Sequence, residues 1–209
     1  MKSTKEKVSY CIGLETGKNL RQQFAEIEQD LLMQGLTDGF TEATPKLSMQ
    51  EIGSVLSNLK IQIEEQQKRY IADLADKNKK EGEAFLNFNK QKDDVTSLPS
   101  GLQYKILVKS EGKSPTLFDT VSVHYKGTFI NGQIFDSSYQ REEPVLFPVN
   151  RVIPGWSEAL QLMKQGEKWQ IFIPHYLAYG EHGMGREIGP NTTLLFEMEL
   201  LAINPEVTA

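Results

Sequence analysis

The chain has 209 residues, 39% of them hydrophobic and 9% aromatic, which suits a globular protein of one large or two modest domains. Its formal net charge of -5 comes with no concentrated basic stretch, so nucleic acid is excluded as a partner class. A single cysteine, Cys11, excludes an internal disulfide and a cysteine-based zinc site; it is expected as a small buried residue on a helix.

Composition argues for two domains, because every proline except Pro45 lies at or beyond Pro99. The opening residues 1–6 are charged and lack the apolar core of a signal peptide, and no run is long enough to cross a bilayer. The expected location is the cytoplasm, or the periplasm or cell surface for a form trimmed on export.

From Val8 to Phe40 apolar residues recur at helical spacing through Ile12, Leu20, Phe24, Ile27, Leu31, Leu32 and Leu36, which predicts two short helices. After Thr44-Pro45, Ser48 and Glu51 have the spacing of a capping box, so a long helix is expected to start there. Its apolar stripe runs Met49, Ile52, Leu56, Leu59, Ile63, Tyr70 and Leu74. Residues 75–83 are mostly charged and are expected to be solvated on all sides, with the stripe resuming at Phe85 and Phe88. Continued to Lys92 at 1.5 Å per residue, the helix would be roughly 65 Å long, with a bend or fraying at Gly82. Three helices in under a hundred residues bury little apolar surface alone, and a second copy would supply the partner. The expectation is a homodimer formed by residues 1 to about 60. The division expected is a helical dimerisation domain 1–47, a connecting helix 48–92, a linker 93–98 and a working domain 99–209.

From Gln103 the hydrophobic period becomes two, predicting strands over 103–109, 119–130, 133–137, 145–149, 167–174 and 192–203. Asn131-Gly132 is a strong hairpin signal between the second and third. One helix is expected over 154–163, closed by Gly166 as a C-terminal cap. The fold class is therefore α+β: helices first, then an antiparallel sheet wrapped around one short helix, with a pocket between them. The histidines His124, His175 and His182 lack the spacing and company of metal ligands, and Gly180, Gly183 and Gly185 mark a flexible pocket loop, so no metal or cofactor is expected.

Five motifs in order, Val123-His124-Tyr125-Lys126-Gly127, Gly132 with Phe135-Asp136-Ser137-Ser138, Val152-Ile153-Pro154-Gly155-Trp156, Leu177-Ala178-Tyr179-Gly180 and Leu195-Phe196-Glu197, resemble the FKBP family of prolyl isomerases that bind tacrolimus and rapamycin. The first half, with Val8-Ser9-Tyr10, Gly17-Lys18-Asn19, Gly82-Glu83-Ala84-Phe85-Leu86 and Pro99-Ser100-Gly101-Leu102-Gln103-Tyr104, is similar to the macrophage infectivity potentiator subgroup, whose members are V-shaped dimers joined through their first helices. The resemblance implies an FKBP-like second domain and clients that are proline-containing unfolded or partly folded proteins, gripped in the dimer cleft.

The same resemblance makes Trp156 the pocket floor and Tyr125, Phe135, Val152, Ile153, Ile188 and Phe196 its walls, with Val145 standing where many members carry an aromatic wall. Asp136 is placed at the rim, hydrogen-bonded to Tyr125; an acid in an apolar strand is costly to bury without such a bond. Tyr179 and the Ile153 amide are implied as donors to substrate carbonyls. Catalytic roles thus fall on Asp136, Tyr179 and Tyr125. An alternative from another class is a non-catalytic holding chaperone or adaptor that uses the pocket as a weak peptide site.

Overall fold

The computed structural model describes residues 3–24 and 26–206, so Met1 and Lys2 of the charged opening stretch lie outside it. Two compact units divide between Ile63 and Glu64.

The first unit is helical. Helix α1 (Thr4–Gln23) opens on a capping box in which Ser3 Oγ accepts from the Glu6 amide at 3.2 Å, and α2 (Gln29–Phe40) follows. Neither helix buries a residue. Val8, Ile12, Leu31 and Leu36 are exposed, and Phe40 is 88% so. Cys11 is exposed as well, against expectation: the helical period was right, but no described residue of this unit covers that side of α1. Helix α3 (Met49–Asn89) starts on the predicted box, with the Ser48 amide donating to Glu51 Oε2 at 2.9 Å and the Glu51 amide to Ser48 Oγ at 3.2 Å.

The second unit begins inside α3, which is unbroken at Gly82 and ends at Asn89, three residues short of Lys92. Two expectations fail here. The stretch 75–83 is not solvated all round: Gly82 is buried, and a Cβ on it would lie 2.2 Å from Thr193 Oγ1. Charged residues along the outer side hid a contact side made of a glycine and amides. Phe88, expected to resume the stripe, is exposed, while Asn89 is fully buried and donates to Gln103 Oε1 at 2.9 Å.

Residues 93–98 are structured rather than a free linker, because Asp94 pairs with Lys105 at 2.5 Å and β1 (Thr96–Ser97) adds to the sheet. The other strands are β2 (Gln103–Val108), β3 (Thr120–Phe129), β4 (Ile134–Ser137), β5 (Val145–Pro148), β6 (Lys168–Ile173) and β7 (Leu194–Ile203). Every pairing is antiparallel, in the order β1-β2-β6-β7-β3-β4, with β5 also on β3. Gly132 takes φ 86 in the β3–β4 turn, the left-handed conformation that this hairpin position favours.

Alternation in β3 and β7 sends Val121, Val123, Leu194, Met198 and Leu200 into the core, where each is fully buried. They form one apolar cluster with Leu160 and Met163, which come from α4 (Pro154–Leu162) and the residue that ends it. Gly166 does not cap α4; Met163 ends it, and Gly166, at φ 91, turns the chain into β6 while its amide donates to Leu200 O at 2.7 Å. Among the described residues no helix is long and apolar enough to cross a membrane.

Candidate active site

Helix α4 carries Trp156 to the base of a cavity of about 700 Å³. Pro154 at the first helical turn has its φ already set for a helix. Gly155 lets the turn sit close against β6, since a Cβ there would lie 2.5 Å from Ile173 Cγ2. The indole is 4% exposed, and three rings stand nearly perpendicular to it: Tyr125 at 5.0 Å, Phe196 at 5.1 Å and Phe147 at 5.4 Å between centroids. Edge-to-face packing of this kind holds each ring in place while keeping the enclosure apolar. The indole N–H, also buried, has no hydrogen-bond partner among the described residues.

Phe135 meets Phe196 edge-on at 5.6 Å, and both close over Gly127, where a Cβ would lie 2.5 Å from Phe135 Cζ. Any other residue at 127 would push this wall into the cavity. Val152 and Ile153 line the mouth just before α4, while Ile188 and Tyr179 line it from the segment after β6. Nine of the ten residues predicted from the sequence therefore share one cavity: Tyr125, Phe135, Asp136, Val152, Ile153, Trp156, Tyr179, Ile188 and Phe196.

Val145 is the tenth, and it lies outside the lining, packed at the edge of the core opposite Val123. Phe147, two residues on, lines the cavity instead. The signal for it was available: alternation puts Val145 and Phe147 on one face of β5, and Leu146 between them is outward and exposed.

The polar edge is a triangle. Tyr125 donates its hydroxyl hydrogen to Asp136 Oδ2 at 2.5 Å, Arg141 Nη1 donates to Asp136 Oδ1 at 2.5 Å, and Arg141 Nη2 donates to the Tyr125 oxygen at 2.9 Å. The Asp136 side chain is 40% exposed, so it belongs to the rim rather than the interior. Burial opposes its ionisation, but the hydrogen bonds from Tyr125 and Arg141 and the Arg141 charge outweigh that and hold its carboxyl below the usual carboxylate range. Burial, then the bond to Asp136, pushes the Tyr125 phenol up; burial and the Asp136 charge do the same for Tyr179. Both phenols are therefore protonated donors at neutral pH. Arg141, on the short 3-10 turn Tyr139–Arg141, was not foreseen, because only the folded turn brings it onto a carboxylate five positions earlier.

The lining thus combines a largely apolar interior with phenolic donors and charged groups: Asp136, paired with Arg141, and in addition Arg151, Arg186 and Glu187. Among the described residues the lining holds no serine, threonine, cysteine, histidine or lysine. A planar amide can still be held and turned.

The comparisons with known proteins agree. Residues 111–201 match the model of the FKBP-type peptidyl-prolyl cis-trans isomerase domain, and residues 5–106 match the domain amino-terminal to FKBP-type peptidyl-prolyl isomerase. The chain belongs to the FKBP family and is a peptidyl-prolyl cis-trans isomerase.

Among its relatives is the outer membrane protein MIP of Legionella longbeachae, 43% identical over 95% of this chain and 85% of that protein. The peptidyl-prolyl cis-trans isomerase Mip of Coxiella burnetii is 39% identical over 97% of this chain and 88% of that protein. The crystal structure of FkpA from Escherichia coli superposes with a TM-score of 0.78 at 34% identity, covering 98% of this chain and 99% of that one.

Proposed function

We propose that this isomerase works by desolvation and carbonyl capture in the cavity floored by Trp156. A peptide bond resists rotation by about 18–20 kcal/mol because of its amide resonance. At X-Pro bonds both isomers are populated, yet uncatalysed exchange takes tens to hundreds of seconds. The twisted transition state has lost charge separation, so a dry aromatic enclosure favours it over the planar ground state, which water stabilises more. Each 1.36 kcal/mol so gained is worth a factor of ten in rate.

In this reading the proline ring rests on Trp156, between Phe135, Phe147 and Phe196. Tyr179 and the Ile153 amide donate to substrate carbonyls on either side of the turning bond. Asp136, held by Tyr125 and Arg141, faces the carbonyl carbon. The triangle at Asp136 carries the proposal, because a plain hydrophobic clamp has no use for a carboxylate kept ionised at its rim. Tacrolimus and rapamycin, which the family binds, are proposed ligands of the same cavity.

Proline-containing unfolded chains are the proposed clients. The exposed apolar residues of α1 and α2, such as Val8, Ile12, Leu31 and Phe40, support a homodimer formed through these helices. For location, the name of the Legionella relative favours the cell envelope over the cytoplasm expected from the sequence, and cell fractionation decides between them. The reading is tested by refolding of a proline-limited protein. Acceleration that Asp136→Ala and rapamycin each suppress is expected. Slowed aggregation without faster refolding would favour the holding chaperone instead.

A further inference from the structure

Helix α3 meets the end of the segment that lines the cavity through residues that no site motif includes. The segment from Gly180 to Asn191 carries Met184 and Ile188 of the lining and follows directly on Tyr179. Three of its glycines, Gly180, Gly183 and Gly185, have φ of 60, 66 and 61, so the free segment samples many conformations. Its ends are joined where the Asn191 amide donates to Gly180 O at 2.8 Å.

That junction is bound to the helix from both sides. Asn78 Nδ2 donates to Pro190 O at 2.8 Å and to Thr192 Oγ1 at 3.3 Å, and Asn191 Nδ2 donates back to Ala75 O at 3.4 Å. Asn191 is itself only 9% exposed and holds φ 53. Around these bonds Leu74 and Asn78 face Gly189, and Gly82 lies against Thr193. Leu74, Asn78 and Gly82 are spaced by four and share one side of the helix.

We propose that Asn78 is a positioning residue of the isomerase site: through Pro190 and Asn191, α3 holds the Gly180–Asn191 segment in the form that accepts a peptide. This rests on the isomerase reading of the cavity. Without the Asn78 donor, the carbonyl of buried Pro190 loses its partner and the segment spends part of its time in other forms. When only a fraction of molecules is competent, apparent affinity falls by that fraction while turnover at saturation is unchanged.

The test uses the full chain with Asn78→Ala and Asn78→Asp, assayed by NMR exchange spectroscopy on a prolyl tetrapeptide. KM is expected to rise about fivefold for Asn78→Ala, with kcat within about twofold. Asn78→Asp should be worse, because it sets a carboxylate against the Pro190 carbonyl. An unchanged KM with a lowered melting temperature would reduce Asn78 to packing and overturn the proposal, as would Asn78→Asp behaving like the unsubstituted chain. Native-state hydrogen exchange on the unsubstituted protein needs no variant to fold: the Asn191 amide and those of α3 around Asn78 should open together, and independent opening overturns the coupling. An unsubstituted chain without activity would instead count against the isomerase reading, while hydrogen exchange would still report on the junction.

Discussion

The helices before Glu64 and the unit after it answer the hydrophobic effect in opposite ways. Neither α1 nor α2 buries a residue, and their apolar side chains stand exposed. The sheet and α4 enclose Val121, Leu160, Ile171 and Met198 completely. A helical stripe therefore specifies which side of an element seeks cover, while a sheet packed on a helix also specifies what covers it.

Replacing a core ring and an exposed ring sharpens this contrast most. Trp156→Ala should lower unfolding stability by about 3–5 kcal/mol in chemical denaturation. Phe40→Ala should leave the monomer's stability unchanged and weaken self-association in sedimentation. Loss of monomer stability with association intact would show that Phe40 serves its own unit.

Two truncations should differ next. A fragment starting at residue 64 keeps Asn78, Gly82, Phe85 and Asn89 against the sheet side, and its tetrapeptide turnover should match the full chain. A fragment starting at residue 93 removes them and should lose several-fold in kcat/KM, in line with the loss of the part-buried hydrogen bond of Asn78 and the buried one of Asn89. Equal activity of the two would mean that α3 is a spacer only.

The smallest effect concerns pH. A carboxyl whose folded pKa lies below its unfolded value contributes stability that is present above the unfolded pKa and is lost as pH falls through the folded pKa. Asp136 is such a group, so activity should stay level from neutral pH through the ordinary aspartate range and fall only below it. Arg141→Ala should move that fall to higher pH, and an unmoved profile would remove Arg141 from the site.

Much of this was legible in the letters. Period-two alternation and the Asn131-Gly132 turn placed the sheet, and the family resemblance carried by Tyr125, Phe135, Trp156 and Phe196 put these four in one cavity, which they share. What escaped notice was contact made by small or polar residues. Gly82 and Asn89, both buried, and the half-buried Asn78 make their contacts through shape and amide hydrogen bonds, which leave no hydrophobic period. Arg141 was missed for a similar reason, because its partners become neighbours only through the turn that carries it. Phe147 was different: attention to the first residue of β5 obscured the alternation that pointed to the third.

The central claim is that rotation about the prolyl bond is accelerated inside the cavity floored by Trp156. Exchange spectroscopy on a prolyl tetrapeptide, with the unsubstituted chain and with Asp136→Ala, tests it most directly. The unsubstituted chain should speed exchange, and the variant should fall about tenfold or more while remaining folded. Equal acceleration by both would place the activity elsewhere on the molecule.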